Sequence, residues 1–323
     1  MRFTYSEILP LWSLNQTQPA GLESDCGAAP HTSGHRIRVS ELGASSVVVN
    51  KPGALAPEAC WNAGLNWTRA DHYEGLRHAD RSAFAWEWLR RTPAYRDAWR
   101  RFRTRMASPR QPPREFGLER FEDPGLSVPL ARPLWRADID PSVIRAVVLD
   151  PFAHPADRID LWRLMPLVSV AIDDKQIEHL LLSNGIQSLR IDIVDGTLIG
   201  NPASLRFGLH GIAALQGPVA ALRRLIEVVE KGGFDDRSIG RPNRRERWIL
   251  ELRVADALLA GAGYQQIARG LFGDAIAGAR WRTQNPSHRQ RVLRLAKAAK
   301  LNLAFPLDRK WFSDAGAVPN EPA

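Results

Sequence analysis

The chain has few cysteines, few lysines and no long apolar run. Its only cysteines, Cys26 and Cys60, stand far from any histidine cluster. Two are too few for a zinc site or a disulfide framework, and such usage points to the reducing cytoplasm. No apolar run approaches the roughly 18 residues of a membrane span. The opening Met1-Arg2-Phe3 lacks a basic stretch leading into such a run, so neither membrane insertion nor secretion is expected. Also missing are a phosphate loop, a dinucleotide fingerprint, paired Cys-x-x-Cys motifs, His-Glu-x-x-His and Gly-x-Ser-x-Gly. The expectation is a protein without enzymatic activity, cofactor or metal.

Of 44 basic residues only six are lysines, and 35 acidic residues leave a net charge of +9. Arginine suits phosphate and base-edge contacts, so polyanions are the first partners to consider. Hydrophobic residues at 44% and charged residues at 24% exclude a wholly disordered, collagenous or coiled-coil chain. A length of 323 residues favours two modest domains over one large one.

Residues 1–60 are rich in Gly, Pro, Ser, Thr and Asn, with one β-like run at Ser46–Val49, and read as a disordered extension. Apolar residues at Phe84, Ala85, Trp88 and Leu89 mark a helix over 80–91. Thr92-Pro93 stops it and opens a second helix over 94–106, with Tyr95, Ala98, Trp99 and Phe102 on one side and Arg96, Arg100 and Arg103 near the other. The two form a small basic helical hairpin. Proline-rich stretches at 108–113, 122–125 and 129–141 read as linker or extended chain.

Five β-like runs follow, at 143–149, 167–172, 178–182, 189–194 and 204–209. Asn184-Gly185 sits between two of them as a hairpin turn, and a second turn stands at Asp195-Gly196. A small antiparallel sheet is expected. Further helices are expected over 215–231, with Val219, Leu222, Ile226 and Val229 along one face, and over 243–260, with Trp248, Leu252, Ala255 and Leu259 facing inward. A short helix carries Tyr264, Ile267, Ala268 and Leu271. Asn285-Pro286 reads as an N-cap followed by proline in the first turn of a helix over 287–303.

Few residues suggest chemistry. Asp173-Asp174 could ligate a metal, but adjacent carboxylates beside a turn read better as solvated surface. His154, His179 and His210 fall in separate elements with no evident partner. Tyr5, Tyr73, Tyr95 and Tyr264 lack the basic surroundings of a recombinase site.

Charge is more informative. Residues 237–311 hold sixteen basic and five acidic residues, a net +11, so the rest of the chain sums to −2. This regional excess suits a domain docked on a polyanion. At 100° per residue, Leu295, Ala296, Ala299 and Leu303 lie within about 60° of Val292 as a packing stripe. Opposite it stand Ser287, Gln290, Arg291, Arg294 and Lys297. With Arg282, Arg289 and Lys300 these are the candidate DNA-binding residues: arginine pairs two ways with guanine and glutamine with adenine, while lysine and serine hold phosphates. The short helix upstream would be the supporting helix of a helix-turn-helix. About fifteen residues separate the two, far more than a compact turn of 3–4. Either a short extra helix near 275–282 is inserted, the preferred reading, or that helix is the reader and Arg280 and Arg282 outweigh Arg291 and Arg294.

Residues 166–304 resemble a bacterial helix-turn-helix domain of unknown function, through Gly196-x2-Ile199, Leu222-Arg-Arg-Leu225, the run Tyr264–Gly273, Trp281-Arg282 and Arg289-x-Arg291-Val292-x-Arg294-Leu295. Residues 66–141, with Ala85–Arg91, Pro93–Arg96, Trp135-Arg136 and Asp140-Pro141, resemble the transcriptional regulator-like module that often precedes it. The family includes an activator of excision of integrative and conjugative elements, and a short relative that is a quorum-sensing antiactivator. The resemblance implies a cytoplasmic DNA-binding activator of excision or transfer genes, regulated by protein contact. Double-stranded promoter DNA is the implied partner, with RNA polymerase or an antiactivator protein as further ones and no membrane. The alternative is an antiactivator-like module that binds another regulator. The implied fold is α+β, in the order 1–60 extension, 61–141 helical module, 142–165 linker and strand, 166–304 small sheet plus helix-turn-helix, 305–323 tail. Under the first reading Trp86, Trp88, Tyr95 and Trp99 could contact polymerase or a second subunit; a place in the core is the preferred reading of these four.

Overall fold

Among the described residues, a proline-punctuated helix pair, a mixed sheet and four later α-helices make up the fold. The computed structural model describes residues 40–41, 47–48, 66–104, 112–149, 154, 157–212, 215–235, 242–275 and 285–312. Those from Asn66 onward belong to one compact unit, Ile37–Ala323. The expected disordered extension lies outside the described residues except for a two-residue strand pair, β1 (Ser40–Glu41) and β2 (Val47–Val48).

Helix α1 (Arg81–Leu89) starts where Asp80 accepts a hydrogen bond from the Ala83 amide at 2.9 Å. The second Asp80 oxygen accepts from the Ser188 amide at 2.8 Å, so one cap also ties the helix to the sheet. Helix α2 (Pro93–Arg103) begins at Thr92 with proline in its first turn and buries Tyr95, Ala98 and Trp99. Trp86, Trp88, Tyr95 and Trp99 are all core residues. None of the four presents a surface on which polymerase or a second subunit could dock.

The sheet holds β3 (Ile144–Val148), β4 (Arg158–Ile159), β5 (Val168–Ile172), β6 (Glu178–Ser183), β7 (Ser188–Asp195) and β8 (Ala203–Gly208) in the order β4-β8-β3-β7-β6-β5. The β6–β7 hairpin turns at Asn184-Gly185 as the sequence predicts, and Asn184 Oδ1 accepts from the Ile186 and Gln187 amides. Gly185 has φ +97°, and a Cβ there would fall 1.9 Å from the Pro129 carbonyl oxygen. The expected all-antiparallel sheet is corrected at β3. That strand inserts between β7 and β8, parallel to the first and antiparallel to the second. Its Ile144 and Ala146 side chains join the core on one face, while Arg145 points to solvent.

Helix α3 (Gln216–Lys231) covers that apolar face and ends at Gly232, whose φ of 70° is the left-handed stop. The apolar face expected from Val219, Leu222, Ile226 and Val229 is not the one that meets the sheet. Ala221, Leu225 and Val228 are buried and Leu222 packs beside them, whereas Ile226 is 57% and Val229 38% exposed. Two apolar stripes share this helix, and the one containing the small Ala221 faces the sheet.

Helices α4 (Pro242–Leu259), α5 (Tyr264–Phe272) and α6 (Pro286–Ala304) pack on one another, and α4 and α6 also pack on α1. A single core unites Phe84, Trp86 and Trp88 with Leu252, Ala255, Ile267, Val292, Ala299 and Trp311. Leu259, expected inward, is exposed at the end of α4. In the segment expected to be a tail, Trp311 is buried and stacks with Phe84 at 6.1 Å between ring centroids.

The stretches 122–125 and 129–135, expected to be linker or extended chain, are corrected to an irregular part of the core between Leu118 and Trp135, with Leu118, Leu134 and Trp135 buried. Side chains satisfy its backbone. Trp86 Nε1 donates to the Leu126 carbonyl, Glu87 accepts from the Val128 amide, and the Tyr95 hydroxyl bridges the Glu122 carbonyl and amide.

Candidate nucleic-acid interface

Alternating burial sets the orientation of α6. Val292, Leu295, Ala296 and Ala299 are buried, with Leu303 packed beside them. Ser287, Arg289, Gln290, Arg291, Arg294, Lys297 and Lys300 are all exposed. The helix contains five Lys and Arg residues and no acidic one. Among the described residues, Arg289, Arg294, Lys297 and Lys300 make no ion pair. Asn285 stands at the N-cap, but its carbonyl, not its side chain, receives the first helical bond, from the Arg289 amide.

Helix α5 fixes one of these cations. Phe272, in the last turn of α5, receives the Arg291 guanidinium over its ring at 5.0 Å and meets His288 edge-on at 5.3 Å. A cation held against an aromatic ring keeps its charge and loses rotamer freedom, which suits it to a directional contact. Gln266 Oε1 accepts from the Gly263 amide at the start of α5, and Ile267 and Ala268 bury its inner face. A Cβ at Gly270 would meet the Trp67 ring at 2.3 Å, so the start of the N-terminal module packs directly on α5. Residues 276–284, with Arg280 and Arg282 of the expected insert, lie outside the described residues.

Helix α4 carries a signal that the sequence does not expose. Every residue from Glu251 to Ala257 is buried, including three charged ones. Asp256 accepts two hydrogen bonds from Arg91 and one from the Tyr73 hydroxyl at 2.6 Å. Burial alone would raise the Asp256 carboxyl pKa, but the Arg91 charge and these hydrogen bonds hold it below the usual carboxylate range. Arg253 donates to the Trp67 and Thr68 carbonyls, and Glu251 accepts from Arg247 and Asn302. Glu87 joins Arg90 and Arg91 in the same buried network.

Elsewhere, His179 is not the isolated histidine expected from sequence. It is buried, with Nδ1 2.8 Å from Asp192 and 2.9 Å from Arg190. The partners sit on an adjacent strand, which only the β6–β7 register reveals. Asp173 closes a turn by accepting from the Lys175 and Ile177 amides, and Asp174 is exposed.

Comparison with known families falls on these elements. Residues 66–120 match a proteobacterial transcriptional regulator-like domain. Residues 213–301 match a family described as "T6SS, Transcription factor, DNA binding domain". The two matches support a two-module transcriptional regulator. The second spans α3 to α6 and includes every candidate contact residue, while the sheet lies between the two matched segments. No curated protein matches the chain. Among the described residues, no helix is long and apolar enough to cross a membrane.

Proposed function

We propose that this regulator reads promoter DNA through the solvent face of α6, in the cytoplasm and without enzymatic chemistry, and activates genes for excision or transfer of a mobile element. The observation that carries the reading is the row of exposed cations on α6, free of carboxylate partners among the described residues, inside the segment that matches a DNA-binding domain. Gln290, Arg291 and Arg294 are the base-edge readers; Ser287, Arg289, Lys297 and Lys300 hold phosphates, and Arg282 is a further DNA contact. The helix-turn-helix is formed by α5 and α6, with residues 273–285 between them. Polymerase and an antiactivator protein are the protein partners this reading carries.

The test is a titration of the full chain against duplexes spanning the promoters beside its own gene, at two salt concentrations and with scrambled competitor. Competitor-resistant binding is the expected result. Binding that vanishes with modest salt and shows no sequence preference overturns it, and leaves the antiactivator-like reading, in which the basic face meets an acidic regulator.

A further inference from the structure

The N-terminal module carries its own exposed row of arginines, and neither the reading above nor the matched families give it a role. Arg100, Arg101 and Arg103 occupy the last turn of α2 and all three are exposed. The helix contains one acid, Asp97, which pairs with Arg100 at 2.7 Å. Arg101 donates from Nε to the Asp97 carbonyl, and Arg103 lies 5.4 Å over the centroid of the Trp99 ring. Neither of these two pairs with a carboxylate among the described residues.

A plain structural role does not absorb this charge. Cations at a helix C-terminus offset a macrodipole of about half an elementary charge. One arginine more than suffices for that, and Asp97 neutralises another. What remains is a fixed surplus of positive charge on a single helical turn. It is also rigidly mounted. Tyr95, Ala98 and Trp99 seat α2 in the core, and the Tyr95 hydroxyl is bonded to the Glu122 backbone. Arg91, two residues before the helix, is held by Asp256 of α4. The same core carries α6, so the α2 arginines and the α6 face keep a constant spacing.

We propose that Arg100, Arg101 and Arg103 form a second DNA contact, to the sugar–phosphate backbone, so that one duplex is gripped by both modules. The proposal rests on the reading of α6 as a DNA contact. Charge complementarity selects the partner: arginines presented on a stiff helix, without hydrogen-bonding selectivity built around them, suit phosphates more than base edges. Such a contact adds affinity and orientation but no sequence preference.

The test compares the full-length wild type with the triple variant R100Q/R101Q/R103Q and with R291A/R294A, each titrated against the promoter duplex across a salt series. Each phosphate contact contributes about 0.9 to the slope of log K against log salt. The expected result is a slope shallower by about 2 to 3 for the α2 variant, with equal loss on promoter and scrambled duplexes, and a near wild-type slope for R100K/R101K/R103K. An unchanged slope in the α2 glutamine variant, while the α6 variant loses binding, overturns the proposal and leaves the α6 reading standing; an acidic protein partner for α2 would give that outcome. If R291A/R294A binds as the wild type does, the α6 reading itself fails.

Discussion

Arg91 and Asp256 meet in a buried fork, Nε to Oδ1 and Nη2 to Oδ2, both at 2.8 Å. The first residue follows α1 in the N-terminal module and the second lies well inside α4, in the segment that matches the DNA-binding domain. Their side chains are 1% and 3% exposed. Arg91 also pairs with Glu87 of its own module, whereas Arg91 is the one ion-pair partner of Asp256 among the described residues, so the buried acid of α4 depends on the N-terminal module. Replacing Asp256 with alanine leaves Glu87 as the remaining carboxylate on Arg91, so the loss reaches at most about 3–5 kcal/mol, the cost of breaking a buried pair outright. Urea unfolding should show this loss as a lower midpoint; a variant within about 0.5 kcal/mol of wild type, the range of an ordinary surface change, would mean that water reaches Arg91.

The same pair sets a pH dependence. Burial raises the Asp256 and Glu87 carboxyls, but the neighbouring arginine charges outweigh it and hold both below their ordinary values. A carboxylate depressed in the folded state stabilises fully above its unfolded pKa of about 4, and that stability fades as pH falls toward the folded value. Asp140 and Glu178 are raised by burial and act in the opposite sense. The measurement is therefore a difference: from about pH 7 down to about pH 3, below the unfolded carboxylate value, the stability gap between wild type and D256N should shrink. A gap that stays constant or widens contradicts the assignment.

Punctuation makes much of the fold legible. Thr92-Pro93 and Asn285-Pro286 mark helix starts that the structure keeps, and Gly232 marks an end. Asn184-Gly185 fixes the β6–β7 hairpin through the asparagine side-chain acceptor and the positive φ of the glycine, both local properties. Partners distant in sequence are not legible. Alternation marks 143–149 as a strand but cannot say that it lies parallel to β7, and Arg91 and Asp256 are 165 residues apart. On α3 two stripes have helical spacing, and only the sheet decides between them. In the candidate site, helical spacing gives the exposed side of α6, while the seat of Arg291 on Phe272 joins two helices and needs the structure.

Gly185 should not tolerate a side chain. Its φ of +97° is strained for alanine, and the Pro129 carbonyl occupies the place of a Cβ. Backbone strain alone costs about 1–3 kcal/mol. G185A should lower the thermal midpoint, and an unchanged midpoint would mean that the 128–132 segment moves aside freely.

The facing of α3 is open to a paired test. Leu225 is 3% exposed, so L225A should cost about 2–5 kcal/mol, whereas I226E, at a side chain 57% exposed, should fall within about 0.5 kcal/mol of wild type. The reverse ranking in denaturant unfolding would return the helix to the orientation that its Val219, Leu222, Ile226 and Val229 stripe suggests.

Arg291 and Phe272 give a prediction that separates charge from placement. R291A with R294A removes two exposed cations and should weaken promoter binding at least about tenfold, since a good bidentate base contact is worth about 1–3 kcal/mol. Both side chains are exposed, so the unfolding midpoint should hold. F272A keeps both charges but frees the Arg291 guanidinium from its ring, 5.0 Å away. If the ring orients the arginine for DNA, F272A and R291A should be non-additive in a binding cycle, with a coupling near the roughly 0.5–1 kcal/mol of an exposed cation–π contact. The cycle is read from titrations of the four proteins at one salt concentration. Strict additivity would mean that Phe272 serves packing alone and that Arg291 finds its contact unaided.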